Sequence, residues 1–322
     1  MQSSVVSHQS AGTVVSRQST VVSKISKPLF IIFTFLLFAL AASAQTSFRY
    51  AAINVPNARE TVANGINNGN VIVGWYISST GQGLGFRLAS GHYSSIRFPG
   101  AAQTYAHGIS DLGDVVGNYI LPAANGGQTS HGFLLHAGVF RSIDCPNSTP
   151  TAVFTDARGI NKYGTIVGTC NTNSGQHGFV WKNGAFTFFD APTNGSGPDT
   201  EFNGISNLNE IAGQVFSGDN WRGFWKIGSD LDFLKPLLAR DNIVAGVNGH
   251  GEIVGCSASV GFFAHNPEAG ETEGAEHFPS LIAVRPFNVA NSCAESINYN
   301  RAIVGYYFDS QFMRRGFLAI PQ

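Results

Sequence analysis

Between residues 61 and 66 the small residues Thr61, Ala63 and Gly65 alternate with Val62, Asn64 and Ile66. That period of two predicts a strand. A polar turn follows, then an apolar run closing on Ile72-Val73-Gly74. The same pair of motifs recurs as Gly108-Ile109-Ser110 with Val115-Val116-Gly117, and as Gly159-Ile160-Asn161 with Ile166-Val167-Gly168. It returns as Gly204-Ile205-Ser206 with Ile211-Ala212-Gly213, as Gly246-Val247-Asn248 with Ile253-Val254-Gly255, and as Ser296-Ile297-Asn298 with Ile303-Val304-Gly305. In every copy the first and last positions are nine residues apart, and the copies start 43, 51, 45, 42 and 50 residues apart. A regular period of this size marks a repeat architecture.

Each unit carries two further landmarks. A Gly-Phe pair stands at Gly85-Phe86, Gly132-Phe133, Gly178-Phe179, Gly223-Phe224, Gly261-Phe262 and Gly316-Phe317. An apolar stretch ends at Pro56, Pro99, Pro146, Pro192, Pro236 and Pro286, with Ile53, Ile96, Ile143, Phe189, Phe233 or Ala283 three residues earlier. These landmarks predict four strands per unit, the last one stopped by a residue with no N–H for the ladder. Four strands in roughly 45 residues is the size of one propeller blade. The Asn or Ser after each Ile or Val is placed to cap a turn through its side chain. Five residues past the anchor, Asn70, Gly113, Gly164, Asn209 and Gly251 tolerate a left-handed backbone. Arg301 breaks that rule, so the sixth copy is expected to turn differently.

The chain meets Pro56 first, ending a lone fourth-type strand at 48–55, and finishes just after Gly316-Phe317 without a fourth strand of its own. One end therefore lacks what the other carries. An all-β, six-bladed β-propeller of four-stranded blades is expected, closed by the N-terminal strand completing the last blade and covering the exposed edges. An open solenoid would need capping units that the sequence does not offer.

Composition agrees. Charged residues are 12 % of the 322, half the roughly 25 % of an ordinary globular chain. The 38 glycines and 25 phenylalanines fit short strands and tight turns, and 43 % apolar content with a formal net charge of −1 argues against disorder.

With the repeat in place, His131-Gly132-Phe133-Leu134 and His177-Gly178-Phe179-Val180-Trp181 give the chain a resemblance to the HAF-repeat family of secreted bacterial repeat proteins. That resemblance covers nearly all of residues 45–322 and implies a location and an architecture, but no activity. The chain departs from the family's usual His-Ala-Phe in having Gly at the centre, and His is absent before Gly85, Gly223, Gly261 and Gly316.

Residues 1–44 read as a signal peptide. Arg17, Lys24 and Lys27 precede an apolar run from Leu29 to Ala42, and Ala42-Ser43-Ala44 supplies the small-x-small cleavage pattern. The run is shorter than the roughly 20 residues of a membrane-spanning helix, and a retained N-terminal anchor is the alternative. A secreted protein, extracellular or periplasmic, is expected, with one propeller domain at 45–322 and no membrane span after cleavage. Removing the segment takes three of the 19 basic residues and none of the 20 acidic ones. The remainder is mildly acidic with no basic run, which argues against nucleic acid as a partner.

Export permits disulfides among Cys145, Cys170, Cys256 and Cys293, with three possible connectivities and four free thiols as the alternative. The repeat frame brings Cys145 near Cys170 and Cys256 near Cys293, so those two pairs are expected. No C-x-x-C spacing suggests zinc or thiol-redox chemistry.

No catalytic motif is present. His131 and His177 read as hydrogen-bonding links from the third strand to its neighbour. Glu268, Glu271, Glu273 and Glu276 read as a solvated loop. Asn147-Ser148-Thr149 and Asn194-Gly195-Ser196 match a glycosylation pattern of no expected consequence in a bacterial-type protein. Variation on the innermost strands is more informative. Thr61, Thr104, Thr155, Thr200, Asn242 and Ser292 agree, as packing positions do, whereas Asn64, His107, Arg158, Asn203, Ala245 and Glu295 diverge. Tyr105, Asp156 and Glu201 join the divergent set two residues earlier. A binding face at the channel mouth would show this contrast, and so would a solvated channel entrance whose residues nothing constrains. The candidate ligand-binding residues are Tyr105, His107, Asp156, Arg158, Glu201, Asn203 and Glu295. The expected function is a non-catalytic, monomeric binding module for a glycan, peptide or protein, without cofactor. The alternative is a propeller hydrolase or lyase using an acid–base or metal site at the mouth. Calcium would enter only there, held by residues such as Asn64, Asp156, Glu201, Asn203 and Glu295.

Overall fold

The computed structural model describes residues 47–123, 126–146, 153–193, 199–234, 241–265 and 281–322. The proposed signal peptide at 1–44, both glycosylation patterns and the Glu268–Glu276 cluster lie outside the described residues.

Among the described residues 24 strands, β1–β24 in chain order, form six four-stranded antiparallel sheets. The first blade is β2 (Glu60–Ile66), β3 (Ile72–Ile77), β4 (Gly83–Ala89) and β5 (His92–Ile96); the second is β6 (Gln103–Ile109), β7 (Val115–Pro122), β8 (Gln128–His136) and β9 (Val139–Ile143). The third is β10 (Thr155–Ile160), β11 (Ile166–Thr172), β12 (Gly175–Lys182) and β13 (Ala185–Phe189); the fourth is β14 (Thr200–Ile205), β15 (Ile211–Ser217), β16 (Asn220–Ile227) and β17 (Asp230–Phe233). The fifth is β18 (Asn242–Val247), β19 (Ile253–Ser257), β20 (Val260–Ala264) and β21 (Ile282–Val284). The sixth holds β22 (Ser292–Ile297), β23 (Ile303–Phe308) and β24 (Arg314–Pro321), and its outer strand is β1 (Phe48–Ile53), paired with β24 from Phe48↔Pro321 to Ile53↔Gly316. The ring closes as the landmarks predict: each inner strand contacts the next, and β22 contacts β2. Among the described residues no helix is long and apolar enough to cross a membrane.

The landmarks turn out to be contact partners. The landmark glycine, third residue of each second strand, lies opposite the landmark phenylalanine of the third strand, as in Gly74↔Phe86, Gly117↔Phe133, Gly168↔Phe179 and Gly213↔Phe224. The six landmark phenylalanines are 0–3 % exposed and fill the layer between blades. At the axis the anchor glycines bring inner strands to backbone contact. A Cβ on Gly65 would meet the His107 carbonyl oxygen at 2.6 Å and the Cα of Gly108 at 3.2 Å, and Gly108 meets Arg158 and Gly159 at the same distances.

The Thr at the start of an inner strand ties its blade to the preceding one. Thr61, Thr104, Thr155 and Thr200 accept hydrogen bonds at 2.9–3.1 Å from the N–H of Val55, Phe98, Cys145 and Ala191, each directly before the blade-ending proline. Two blades depart from the expected frame. Phe233 and Ala283 do not take the place of Ile143: β17 and β21 are displaced by one residue, so Leu234 and Val284 are buried there instead, at 2 % and 0 % exposure. The next inner strands then begin with Asn242 and Ser292, which accept from the third-strand N–H groups of Gly223 and Gly261. The side-chain change compensates the slip.

Asn67, Asn161, Asn248 and Asn298 cap their turns as expected, each Oδ1 accepting from N–H groups two and four residues ahead. The expectation of a different sixth turn fails. Arg301 adopts φ 62° and bonds back to the Asn298 carbonyl at 3.0 Å, the geometry of Asn70 and Asn209. Its guanidinium donates to the buried Glu252 at 2.8 Å, a tether that glycine could not supply. Both expected disulfides form, Cys145–Cys170 between blades two and three and Cys256–Cys293 between blades five and six, with Cα separations of 6.0 and 4.9 Å.

Candidate functional site

Every inner strand carries a β-bulge directly before its anchor position, and the residue it displaces is Asn64, His107, Arg158, Asn203, Ala245 or Glu295. A bulge drops one residue out of the ladder and re-aims its side chain. Here all six line one cavity of about 250 Å³ on the axis, near the starts of the inner strands. The divergence along the repeat is thus confined to the residues that the backbone turns into the channel. Asp156 and Ile243 join them from the same strands, and Gln214 and Tyr306 from the second strands, with Cys256 and Cys293 also on the wall. Below lies a narrower waist at the anchor glycines, and the six turns surround a second opening at the far end.

Arg158 organises the site. Its Nε donates to Asp156 Oδ2 at 2.9 Å, and Nη1 donates to Glu201 Oε2 at 2.9 Å and Asn203 Oδ1 at 2.6 Å, so one guanidinium ties blades three and four together. Glu201 also accepts from Gln176 and Gln214, both at 2.8 Å, which uses both of its oxygens. Burial opposes charge on Arg158, but Asp156 and Glu201 more than offset it and hold the guanidinium firmly protonated. For Asp156 burial pushes the carboxyl up, yet His107 and Arg158 together outweigh it, and its pKa lies below the ordinary value. Glu295 has the opposite balance: burial raises its pKa and Arg158 opposes only partly. Burial, then the Glu295 charge, pushes Tyr306 up to about 12.

His107 Nε2 lies 2.9 Å from Asn118 Oδ1, and the Asn64 amide nitrogen lies 3.3 Å from Nδ1. Nε2 is also 3.2 Å from Asp156 Oδ1, but that oxygen accepts no hydrogen bond. Asn64 Oδ1 and Gln214 Oε1 are likewise buried without a partner.

Of the seven candidates, His107, Asp156, Arg158, Asn203 and Glu295 line the cavity, and Glu201 sits behind Arg158 as its counter-charge. Tyr105 stands apart. It packs edge-to-face on Trp75 at 5.5 Å and its hydroxyl donates to Gln103, in a cluster where Arg314 covers the Trp75 ring and pairs with Glu60. Asn64, Asn118, Gln214 and Tyr306 were not among the candidates. Three of them hold one repeat position, directly after the landmark glycine within the second strand, where Trp75, Thr169 and Cys256 stand in the other copies. Divergence at that position was the available signal. A calcium ion among Asp156, Glu201 and Asn203 would have to take the place that the Arg158 guanidinium fills. Outside the cavity, His131 and His177 donate to Asp144 and Asp190 at 2.9 and 2.6 Å, linking the third strand to the end of the fourth as expected.

No family model matches the chain, and no curated protein matches it. Among solved structures it is similar to a mutant of AofleA from Arthrobotrys oligospora at 11 % identity, over 86 % of this chain and 93 % of that one, with a TM-score of 0.47. It is similar to an Aleuria aurantia lectin mutant in complex with Fucalpha1-6GlcNAc at 9 % identity, over 82 % and 94 %, with a TM-score of 0.48. It is also similar to the β-propeller domain of the Trilobed protease from Pyrococcus furiosus at 8 % identity, over 80 % and 95 %, with a TM-score of 0.37. At these identities and scores the likeness extends to overall build alone.

Proposed function

We propose that the chain is a secreted, non-catalytic binding module whose axial cavity holds a small hydroxyl-rich ligand, one sugar residue of a glycan. The observation that carries this reading is the polar lining of a single axial cavity, into which five of the six blades turn Asn64, His107, Arg158, Asn203 and Glu295. They converge from different sides of the axis, so the complementary ligand presents polar groups in several directions, as the hydroxyls of a sugar ring do. A volume of about 250 Å³ lies just below the ~300–1,000 Å³ of drug-sized sites and suits a single ring. The two disulfides fit an oxidising compartment. Membership of the HAF-repeat proteins belongs to the same proposal. The test is a glycan array followed by saturation-transfer NMR with the best monosaccharides. Signals lost in the Arg158→Ala variant would support the reading, and an array without binders would overturn it.

A second reading, a hydrolase or lyase, draws on one feature. Asp156 is held ionised while Glu295 is pushed toward its neutral form, the division of roles that acid–base catalysis needs. Release of reducing ends or unsaturated products from an oligosaccharide panel, lost in Asp156→Asn, would favour it over the binding module.

A further inference from the structure

We propose that the second axial opening, the one ringed by the six turns, docks the carboxyl terminus of a partner polypeptide. The last side chain enters the channel, and Lys162 with the backbone N–H groups of Asn207 and Gly249 holds the terminal carboxylate at the rim. The inference is independent of what fills the bulge-lined cavity at the other end.

One repeat position builds the rim, the residue after each turn cap: Asn68, Asp111, Lys162, Asn207, Gly249 and Tyr299. A side-chain oxygen at that position accepts from the N–H of the same position in the preceding blade. Asp111 Oδ1 accepts from Asn68 at 2.9 Å, Asn207 Oδ1 from Lys162 at 2.9 Å, and Asn68 Oδ1 from Tyr299 at 2.8 Å. Lys162 and Gly249 carry no side-chain acceptor, and the Tyr299 hydroxyl sits at the far end of its ring. The N–H groups that precede these three, on Asp111, Asn207 and Gly249, accordingly have no partner among the described residues.

Charge on the rim favours an anion. Asp111 is the one acid lining the opening among the described residues, and it is already engaged: Oδ2 accepts from the side-chain amides of Asn68 at 2.8 Å and Asn207 at 2.7 Å. Lys162 has no acidic partner among the described residues, and its ammonium stands 5.0 Å over the Tyr163 ring. An unpaired cation and two unpaired N–H groups on the successive turns of blades three, four and five complement a carboxylate. Gly249, with no side chain, leaves the blade-five side of the rim uncovered.

Inside the rim the wall is apolar, with Ile66, Ile109, Ile160, Ile205, Val247 and Ile297 contributed one per blade. The space is about 420 Å³, enough for an aliphatic or aromatic side chain. A bare phosphate or sulfate would leave that wall unused. Outside the rim, Leu112, Tyr163, Leu208 and Tyr299 stand 53–76 % exposed on the same set of turns. Apolar groups gathered round an opening mark an interaction surface. A free small acid would fill the channel and leave this collar bare, whereas a polypeptide end covers both. An internal acidic side chain would need the chain to enter and leave the same opening, and a terminus enters once.

The test is calorimetry with NMR shift mapping on the full protein at about pH 7. The probes are acetyl-Ala-Ala-Ala-Leu and acetyl-Ala-Ala-Ala-Phe as free acids and as C-terminal amides, with acetyl-leucine as the small acid. At least one free acid is expected to bind tenfold tighter than its amide, and Lys162→Gln is expected to shrink that ratio below threefold. Gly249→Asp copies the carboxylate of Asp111 onto the fifth turn, where a Cβ would make ordinary contact with the Tyr299 ring at 3.5 Å. It is expected to weaken the free acid at least tenfold with an unchanged far-UV spectrum. Leu208→Ser is expected to weaken the peptide threefold and acetyl-leucine not at all. Equal binding of acid and amide overturns the carboxylate site. Acetyl-leucine binding as tightly as the peptides overturns the polypeptide partner in favour of a small acid. No binding of either peptide at millimolar concentration overturns the whole inference.

Discussion

Gly74 and Phe86 lie directly opposite each other in the first blade, and the Phe86 ring edge stands 2.9 Å from where a Gly74 Cβ would be. The Val62 carbonyl oxygen would be closer still. Backbone cannot yield as a flexible side chain can, so Gly74→Ala forces the blade apart. The expected cost is about 3 kcal/mol or more, at the upper end of overpacking changes. Gly91 differs: its φ is +80° but nothing lies within 4 Å of its Cβ position, so Gly91→Ala is expected to cost only about 1–2 kcal/mol of backbone strain. Urea unfolding of both variants checks this, and equal losses would contradict close approach as the reason for the landmark glycine.

Ile53 sits opposite Gly316 as Ile143 sits opposite Gly132, and both isoleucines are 3 % exposed. If the N-terminal strand is a full member of the ring, Ile53→Ala and Ile143→Ala are expected to destabilise equally, each by about 2–5 kcal/mol. A loss at residue 53 under about 1 kcal/mol, with a normal loss at residue 143, would mean that β1 frays from β24 in solution.

The six-fold ring was legible because blade packing leaves its mark on residue type: glycine where backbones touch, phenylalanine opposite it, proline where a ladder stops. The slip in β17 and β21 was not, because Phe233 and Leu234 are both apolar and only the partner strand decides which one faces inward. Nor was the Arg301 turn, whose left-handed backbone is held by Glu252, 49 residues earlier in the chain. Within the site, the divergent positions on the inner strands revealed Arg158, Asp156 and Glu295. Tyr105 follows the same alternation, yet its ring is held by Trp75 in the neighbouring blade. Spacing along one strand carries no record of what a neighbouring strand offers.

The two disulfides predict separable effects. They close loops of 25 and 37 residues, and the chain-entropy relation gives about 3–4 kcal/mol for each. Paired Cys→Ser replacement at 145 and 170, or at 256 and 293, is expected to lower stability by that amount in denaturant titrations. Only the second bridge lines the cavity, so its removal is also expected to weaken sugar binding, whereas removal of the first leaves affinity within about twofold. Equal effects on binding would place the ligand elsewhere.

Glu295 makes stability depend on pH in a direction that burial fixes. Its ordinary pKa is 4.5, and in the fold burial raises it against the pull of Arg158. Below about pH 4.5 the carboxyl is neutral in both the folded and the unfolded chain and costs nothing. As pH rises past that value the unfolded chain releases its proton while the folded one keeps it, so the folded state binds more protons and loses stability. The loss grows until the folded pKa is passed and is constant above it. Glu295→Gln removes this titration. The variant's stability relative to wild type is therefore expected to climb above about pH 4.5 and to level off only once the folded pKa is passed, in urea titrations at a series of pH values. A flat difference would mean that Glu295 is solvated rather than buried. A falling one would mean that Arg158 dominates and holds the carboxyl ionised.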